Sequence, residues 1–252
     1  MDSPRYILTF ITILTALVAL LLTGLREITM EQAQLNEEIF NKRAILSAVE
    51  NYLPSGKKVK ELTDDDVVNI FQTQMEQSAV DVKGQALEGI MAEDINMAKE
   101  RKKADEDRQF PVFKYVEGET TCYILAIRGS GLWDEIWANV ALESDLNTIA
   151  GVAFDHLAET PGLGAEIKDN PAFSKQYVGK RIFDENGEYV SVKTKKGGAE
   201  KGDPHQVDGI TGATITADGV SDMFVKGIKY YLPFLETLKT GQPSEAQGML
   251  IQ

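Results

Sequence analysis

The chain has 252 residues, 43% of them hydrophobic, and a formal net charge of −13. That length and apolar content suit one or two domains with a substantial core, and that charge argues against nucleic acid or an anionic membrane surface as the main partner. A single cysteine, Cys122, excludes an internal disulfide, and two histidines, His156 and His205, with no Cys/His cluster leave no signature for a zinc or iron–sulfur site.

In chain order, residues 1–5 are a short tail. Residues 6–25, YILTFITILTALVALLLTGL, contain no charge. At 1.5 Å per residue a helix of that length crosses a hydrocarbon core of about 30 Å, and it is longer than the apolar core of a cleaved signal peptide. Its threonines can bond back to the helix backbone. One transmembrane helix is expected, and the flanking charges, Arg5 and Arg26, leave its orientation open. Residues 26–56 read as a helical stalk, with Ile28, Leu35, Ile39, Leu46 and Val49 near one face and Pro54-Ser55-Gly56 as its end. Residues 57–110 read as helical and charge-rich. Thr63 before Asp64, Asp65 and Asp66 is a helix start, with acids at the positive end of the dipole, and that helix should run to about Met75. The remainder, 76–108, reads as a solvated helix or surface excursion.

From Pro111 the pattern changes to strands. Residues 111–116 and 120–128 form an expected hairpin around Glu117-Gly118-Glu119, and 136–142, 148–155 and 188–193 read as further strands. Asn170-Pro171 opens a short helix through Gln176, residues 195–204 are a polar loop, and 219–238 read as a closing helix that Pro233 kinks or ends. The expected fold class is α+β: a largely antiparallel sheet with flanking helices, preceded by one N-terminal transmembrane helix. The soluble domain is placed at 111–240 and a C-terminal tail at 241–252.

Three segments stand out: 129–133, 156–166 (HLAETPGLGAE) and 208–216 (DGITGATIT). In the last, Asp208, Thr211, Gly212, Ala213 and Thr214 combine turn-formers with small hydroxyl residues. Small residues admit close backbone approach, and free N–H groups with hydroxyls suit a phosphate. The residues by themselves fit an ordinary turn equally well.

The run DGITGAT resembles the flavinylation motif of the FMN-binding domain family, in which the last threonine forms a phosphoester with the FMN phosphate. Here that residue is Thr214. Glu159-Thr160-Pro161-Gly162-Leu163-Gly164 resembles a second signature of the same family, and the order and spacing of the two agree with it. Within the family, the N-terminal span, Asn41-Lys42-Arg43-Ala44-Ile45-Leu46 and Gly131-Leu132-Trp133 are similar to the NqrC branch, which belongs to the Na+-translocating NADH:quinone oxidoreductases.

The resemblance implies covalently bound FMN and one-electron transfer within a sodium-pumping respiratory complex. It also implies a flavin transferase for maturation, integral-membrane partner subunits, and a soluble domain on the periplasmic face of a bacterial inner membrane. Asp208 would assist attachment or simply cap its turn, the 159–164 loop would wall the ring, and Trp133 would line the flavin or belong to the core. His156 is expected to be a satisfied polar residue, Cys122 to be buried and inert, and Thr216 to matter less than Thr211 or Thr214. Two other readings stay open at this point: the equivalent flavoprotein of an Rnf-type ferredoxin:NAD+ oxidoreductase, and a membrane-tethered binding or sensor domain without redox work.

Overall fold

In the computed structural model residues 3–241 are described, so the two tails fall partly outside the described residues. The chain divides into two compact units, Met1–Lys42 and Arg43–Gln252. Helix α1 spans Pro4–Ser47. Its apolar stretch is uncovered, with Leu8, Leu20 and Leu22 all exposed, and it is long and apolar enough to cross a membrane. Thr9 and Thr12 donate to the carbonyls of Arg5 and Leu8 at 2.9 Å, so their hydroxyls are satisfied inside the helix.

The expected stalk face splits in two. Ile28 and Leu35 are exposed, whereas Leu46 and Val49 are fully buried. The helix stops at Ser47, and 3-10 turns at Glu50–Tyr52 and Pro54–Gly56 follow. Arg43 explains why the chain must fold back here. Its guanidinium donates to the carbonyls of Val59 and Leu62 and to Asp64, at 2.7–2.9 Å.

Helix α2 (Asp64–Gln74) begins as the sequence predicts. Thr63 accepts from the Asp66 N–H and Asp66 accepts from the Thr63 N–H, both at 3.1 Å. It runs straight into β1 (Met75–Asp81), which corrects the reading of 76–108 as helix or surface excursion. In β1 only Ala79, Val80 and Met75 are buried, and the polar residues between them disguise the strand. The rest of the region is a short helix α3 (Met97–Glu100) among turns.

Strands β2 (Gln109–Glu117), β3 (Thr120–Ser130), β4 (Glu135–Glu143) and β5 (Ile149–His156) complete a five-stranded antiparallel sheet in the order β1-β2-β3-β4-β5. Both faces are covered, and the period of two sorts the strands' side chains between them. Val112, Leu125, Ile127, Ile136, Ala138 and Val140 join one core, while Phe113, Tyr115, Cys122, Ile124 and Ala141 join the other with Leu46, Val49 and Phe71. Gly151 lets the Ala48 carbonyl reach the sheet, because a Cβ there would sit 2.3 Å from that oxygen.

Helices α4 (Glu166–Asp169) and α5 (Pro171–Lys175) follow β5, with Asn170 capping α5. The expected strand at 188–193 is reduced to one bridge, Phe183 to Tyr189. Ser191 has φ 61° and breaks the extended run. Strand β6 (Lys193–Lys195) starts only after it and pairs in parallel with β7 (Gln206–Asp208). Helix α6 (Thr214–Lys229) begins five residues before the expected start, and Pro233 lies in the first turn of a separate helix α7 (Leu232–Thr240).

Cys122 lies in the second core, and burial, with the Glu143 carboxylate adding to it, pushes its thiol up to about 11. The reactive thiolate is therefore scarce at neutral pH. Iodoacetamide at pH 8 should label Cys122 only after denaturation, as read by intact mass.

Candidate functional site

The two motif loops meet at one buried carboxylate. Glu159, 5% exposed, follows the end of β5, where the Glu159 N–H donates to His156 Nδ1 at 3.2 Å. That bond makes Nδ1 the acceptor and gives half-buried His156 the satisfied polar role the sequence assigns it. Glu159 Oε1 accepts the Trp133 backbone N–H at 3.0 Å, and Oε2 accepts the Thr216 hydroxyl at 2.6 Å. Thr216 is 1% exposed and sits in the first turn of α6, two residues after Thr214. Expected to be of lesser weight, it is the residue that locks the two motifs together. A helix N-terminus also favours the negative charge beside it.

Two glycines make room for this carboxylate. A Cβ at Gly131 would lie 2.3 Å from Glu159 Oε1, and one at Gly164 would lie 2.0 Å from Oε2 and 2.7 Å from Thr216 Oγ1. Gly219 does the same for α6, where a Cβ would meet the Ser130 carbonyl at 2.2 Å. The helix can therefore press its first turns against the end of β3.

Thr214 is the first residue of α6 and half-buried, and its N-cap, Ala213, makes no side-chain capping bond. The opening N–H groups of a helix have no intrahelical partner, and here the cap residue supplies none. Gly212, at φ 81°, turns the chain into the helix, and a Cβ on it would come within 2.9 Å of Leu163 Cδ2. Thr211 is exposed. Trp133 is 67% exposed and Leu163 40%, with the Trp133 indole N–H held by Thr160 Oγ1 at 3.0 Å. This excludes the core alternative for Trp133. Pro161 and Gly162 form the outer tip of the loop, where Gly162 has φ 74°.

Asp208 stands apart from this cluster. Its carboxylate accepts the Ala199 N–H at 2.7 Å and its own N–H donates to Gln176 Oε1, which fits the turn-capping alternative. Among the described residues no group of three or more His, Cys, Asp or Glu is placed to hold a metal. A cavity of about 300 Å³ between α3 and α6 has Arg101, Met223 and Tyr230 in its walls, with Gly129 and Ser130 of the 129–133 segment but no residue of 156–166 or 208–216. The motif site is thus a surface face with Trp133, Leu163 and Thr214 around it.

Residues 131–229 match the FMN-binding domain family. The NqrC protein of the Na(+)-translocating NADH-quinone reductase from Vibrio vulnificus is 44% identical over 120 residues, 47% of this chain and 46% of that protein. In this alignment the chain spans about half the length of the relative. The NqrC protein from Pseudomonas aeruginosa is 33% identical over 258 residues, covering 92% of this chain and 96% of that one. The crystal structure of its counterpart from Parabacteroides distasonis superposes with a TM-score of 0.69 at 33% identity, over 81% of this chain and 94% of that chain.

The stretch from the bend after β3 through the end of α6 carries the match to the FMN-binding domain family, which sets the class of the protein. Within that class, the chain belongs to the NqrC family of the Na+-translocating NADH-quinone reductases.

Thr216→Val keeps the shape but removes the hydroxyl, leaving the buried Glu159 carboxylate short of a donor. It should cost about 1–3 kcal/mol in denaturant unfolding of the folded unit, while Thr216→Ser, which keeps the donor, should cost less.

Proposed function

We propose that the chain is the electron-carrying subunit of a Na+-pumping NADH:quinone reductase, with FMN joined by a phosphoester to Thr214. The observation that carries this reading is the placement of Thr214 as the first residue of an uncapped helix, directly after Gly212 and Ala213. A phosphate on that hydroxyl meets unsatisfied N–H groups and the positive end of the α6 dipole. The positive φ of Gly212 and the absence of a Cβ there leave the phosphate room beside Leu163.

When bound, FMN supplies a ring that accepts and releases electrons one at a time. The chain's own residues do the rest. Thr214 anchors and does not itself transfer electrons. Trp133 and Leu163 offer exposed apolar surface next to the anchor, matching a flat aromatic ring better than solvent. Glu159 and Thr160 hold Trp133 by its backbone and its indole, so its position is set before any ligand arrives. Gly162 and Pro161 shape the tip of the loop, Thr211 adds a hydroxyl beside the phosphate, and Asp208 organises the turn that delivers the motif.

In this reading the soluble unit faces the periplasm of a bacterial inner membrane, a flavin transferase makes the ester, and the other subunits of the complex exchange electrons with it. The uncovered α1 supports the membrane attachment. No residue of this chain is assigned to a sodium path.

Thr214→Ala should abolish the fluorescence of the denatured band on a gel, while the protein still folds and reaches the membrane. Thr211→Ala should lower the yield only. A fluorescent T214A band carrying the mass of FMN on another residue would sink the site assignment. A wild-type chain made beside a working flavin transferase, yet free of covalent flavin, would sink the functional reading.

A further inference from the structure

The charge-rich region ahead of β2 has no place in the flavin motifs, and it lies outside the 131–229 match. Two of its arginines nevertheless turn inward, and one of them reaches the bend that carries Trp133.

The pairing of β2 with β3 ends at Val112 opposite Leu125, so in the sheet ladder residues 126–130 of β3 pair with β4 alone. The next residue of β2 toward that end is Pro111, which has no N–H to continue the ladder. The Tyr231 hydroxyl takes over there, at 2.7 Å from the Ala126 carbonyl and 3.2 Å from that of Pro111. A strand end held on one side frays unless something else ties it.

Helix α6 packs on this end, with Gly219 against the Ser130 carbonyl and Met223 against Gly129, and Arg101 adds a polar tie across the bend. Its Nη1 donates to the Gly129 carbonyl at 2.8 Å and lies 3.3 Å from Glu135 Oε1, and its Nη2 donates to Ser130 Oγ at 2.7 Å. Gly129 and Ser130 end β3 and Glu135 starts β4, so one guanidinium joins both limbs of the 131–134 bend. Arg101 is itself braced from behind. Its carbonyl accepts from Arg108 Nη2 at 3.0 Å, and Arg108 is fixed on the Tyr230 hydroxyl and on Asp105 at 2.8 Å each. On the far side of the bend, Glu159 holds the Trp133 N–H.

We propose that Arg101 is a positioning residue of the flavin site: its guanidinium clamps the two limbs of the 131–134 bend and thereby fixes Trp133 from outside the motif region. The relevance to flavin rests on the reading given under Proposed function, whereas the clamp can be tested without it. A planar fork makes three contacts here that a point charge cannot make together. Removing it leaves no orphaned carboxylate, since Glu135 keeps Arg128 at 2.8 Å.

The test uses the full-length protein in detergent, without flavin and with it. In the flavin-free protein, Arg101→Gln should speed amide hydrogen exchange in the 129–135 segment by about tenfold or more, with Phe113 in the middle of the sheet little changed, and Arg101→Lys should fall between. In the flavinylated protein, R101Q should carry a full complement of FMN with a shifted visible spectrum and midpoint potential. Exchange rising equally at Phe113 and at 129–135 would reduce Arg101 to general stability and overturn the proposal. So would a locally loosened bend with an unchanged flavin spectrum and potential. A wild-type chain lacking covalent flavin would instead defeat the functional reading, and the exchange experiment would then judge the clamp alone.

Discussion

The Glu159 carboxylate is the constraint around which this site is built. It is buried and reaches a hydroxyl on one helix and a backbone N–H on a distant loop. A buried carboxylate is tolerated only when its oxygens are satisfied. Its two partners are therefore fixed in place by the same requirement. Thr216 brings the start of α6, and the Trp133 N–H brings the end of β3. The three sequence segments with chemical character become one site because one polar group must be hydrogen-bonded.

The glycines follow from the same constraint. Gly131 and Gly164 flank the carboxylate so closely that a single added carbon would displace it, and Gly219 lets α6 rest on the Ser130 carbonyl. These are demands of close approach, different in kind from those at Gly162 and Gly212, where positive φ is the issue. Gly162 points its missing side chain into open space, while Gly164 is packed against the hinge of the site. Two glycines of one motif thus serve different physical ends, and substitutions at them should not be read as equivalent.

The hairpin, the two strands after it and the cap at Thr63 were legible in the sequence because local rules and tertiary structure agree there. Alternation of apolar residues gives β2 to β5, and Thr63 with Asp66 forms the reciprocal cap that three aspartates suggest. The first strand was not legible. Its residues, MEQSAVD, are mostly polar, and only pairing with β2 makes them a strand. Ser191 at positive φ was also beyond local reading, as was the start of α6. Residues 214–218 contain threonines of low helix propensity, and packing against β3 and β6 carries them into the helix. Of the site, the DGITGAT run and the Glu159 loop stood out in the sequence by their resemblance, and the structure brings both loops to the Glu159 carboxylate. The bond of Thr216 to Glu159 was not legible, because a hydrogen bond across 57 positions leaves no trace in local pattern.

That early start of α6 changes the physical meaning of the motif. Had the helix begun near Gly219, Thr214 would sit in a loop and its hydroxyl would face water with no fixed field. As the first residue of a helix it lies where N–H groups lack intrahelical partners, and the singly charged phosphodiester proposed for it would be favoured by those backbone groups. In a chain of net charge −13 this matters, because a phosphate held by mobile basic side chains would compete with many carboxylates for them. Backbone dipoles cannot be drawn away in that manner. The same helix is locked at its first turn by Thr216 on Glu159, whose other oxygen holds Trp133. Thr214 and the exposed indole of Trp133 are therefore referred to one rigid element, and a ring tethered at Thr214 as proposed would meet Trp133 in a geometry the fold has already set.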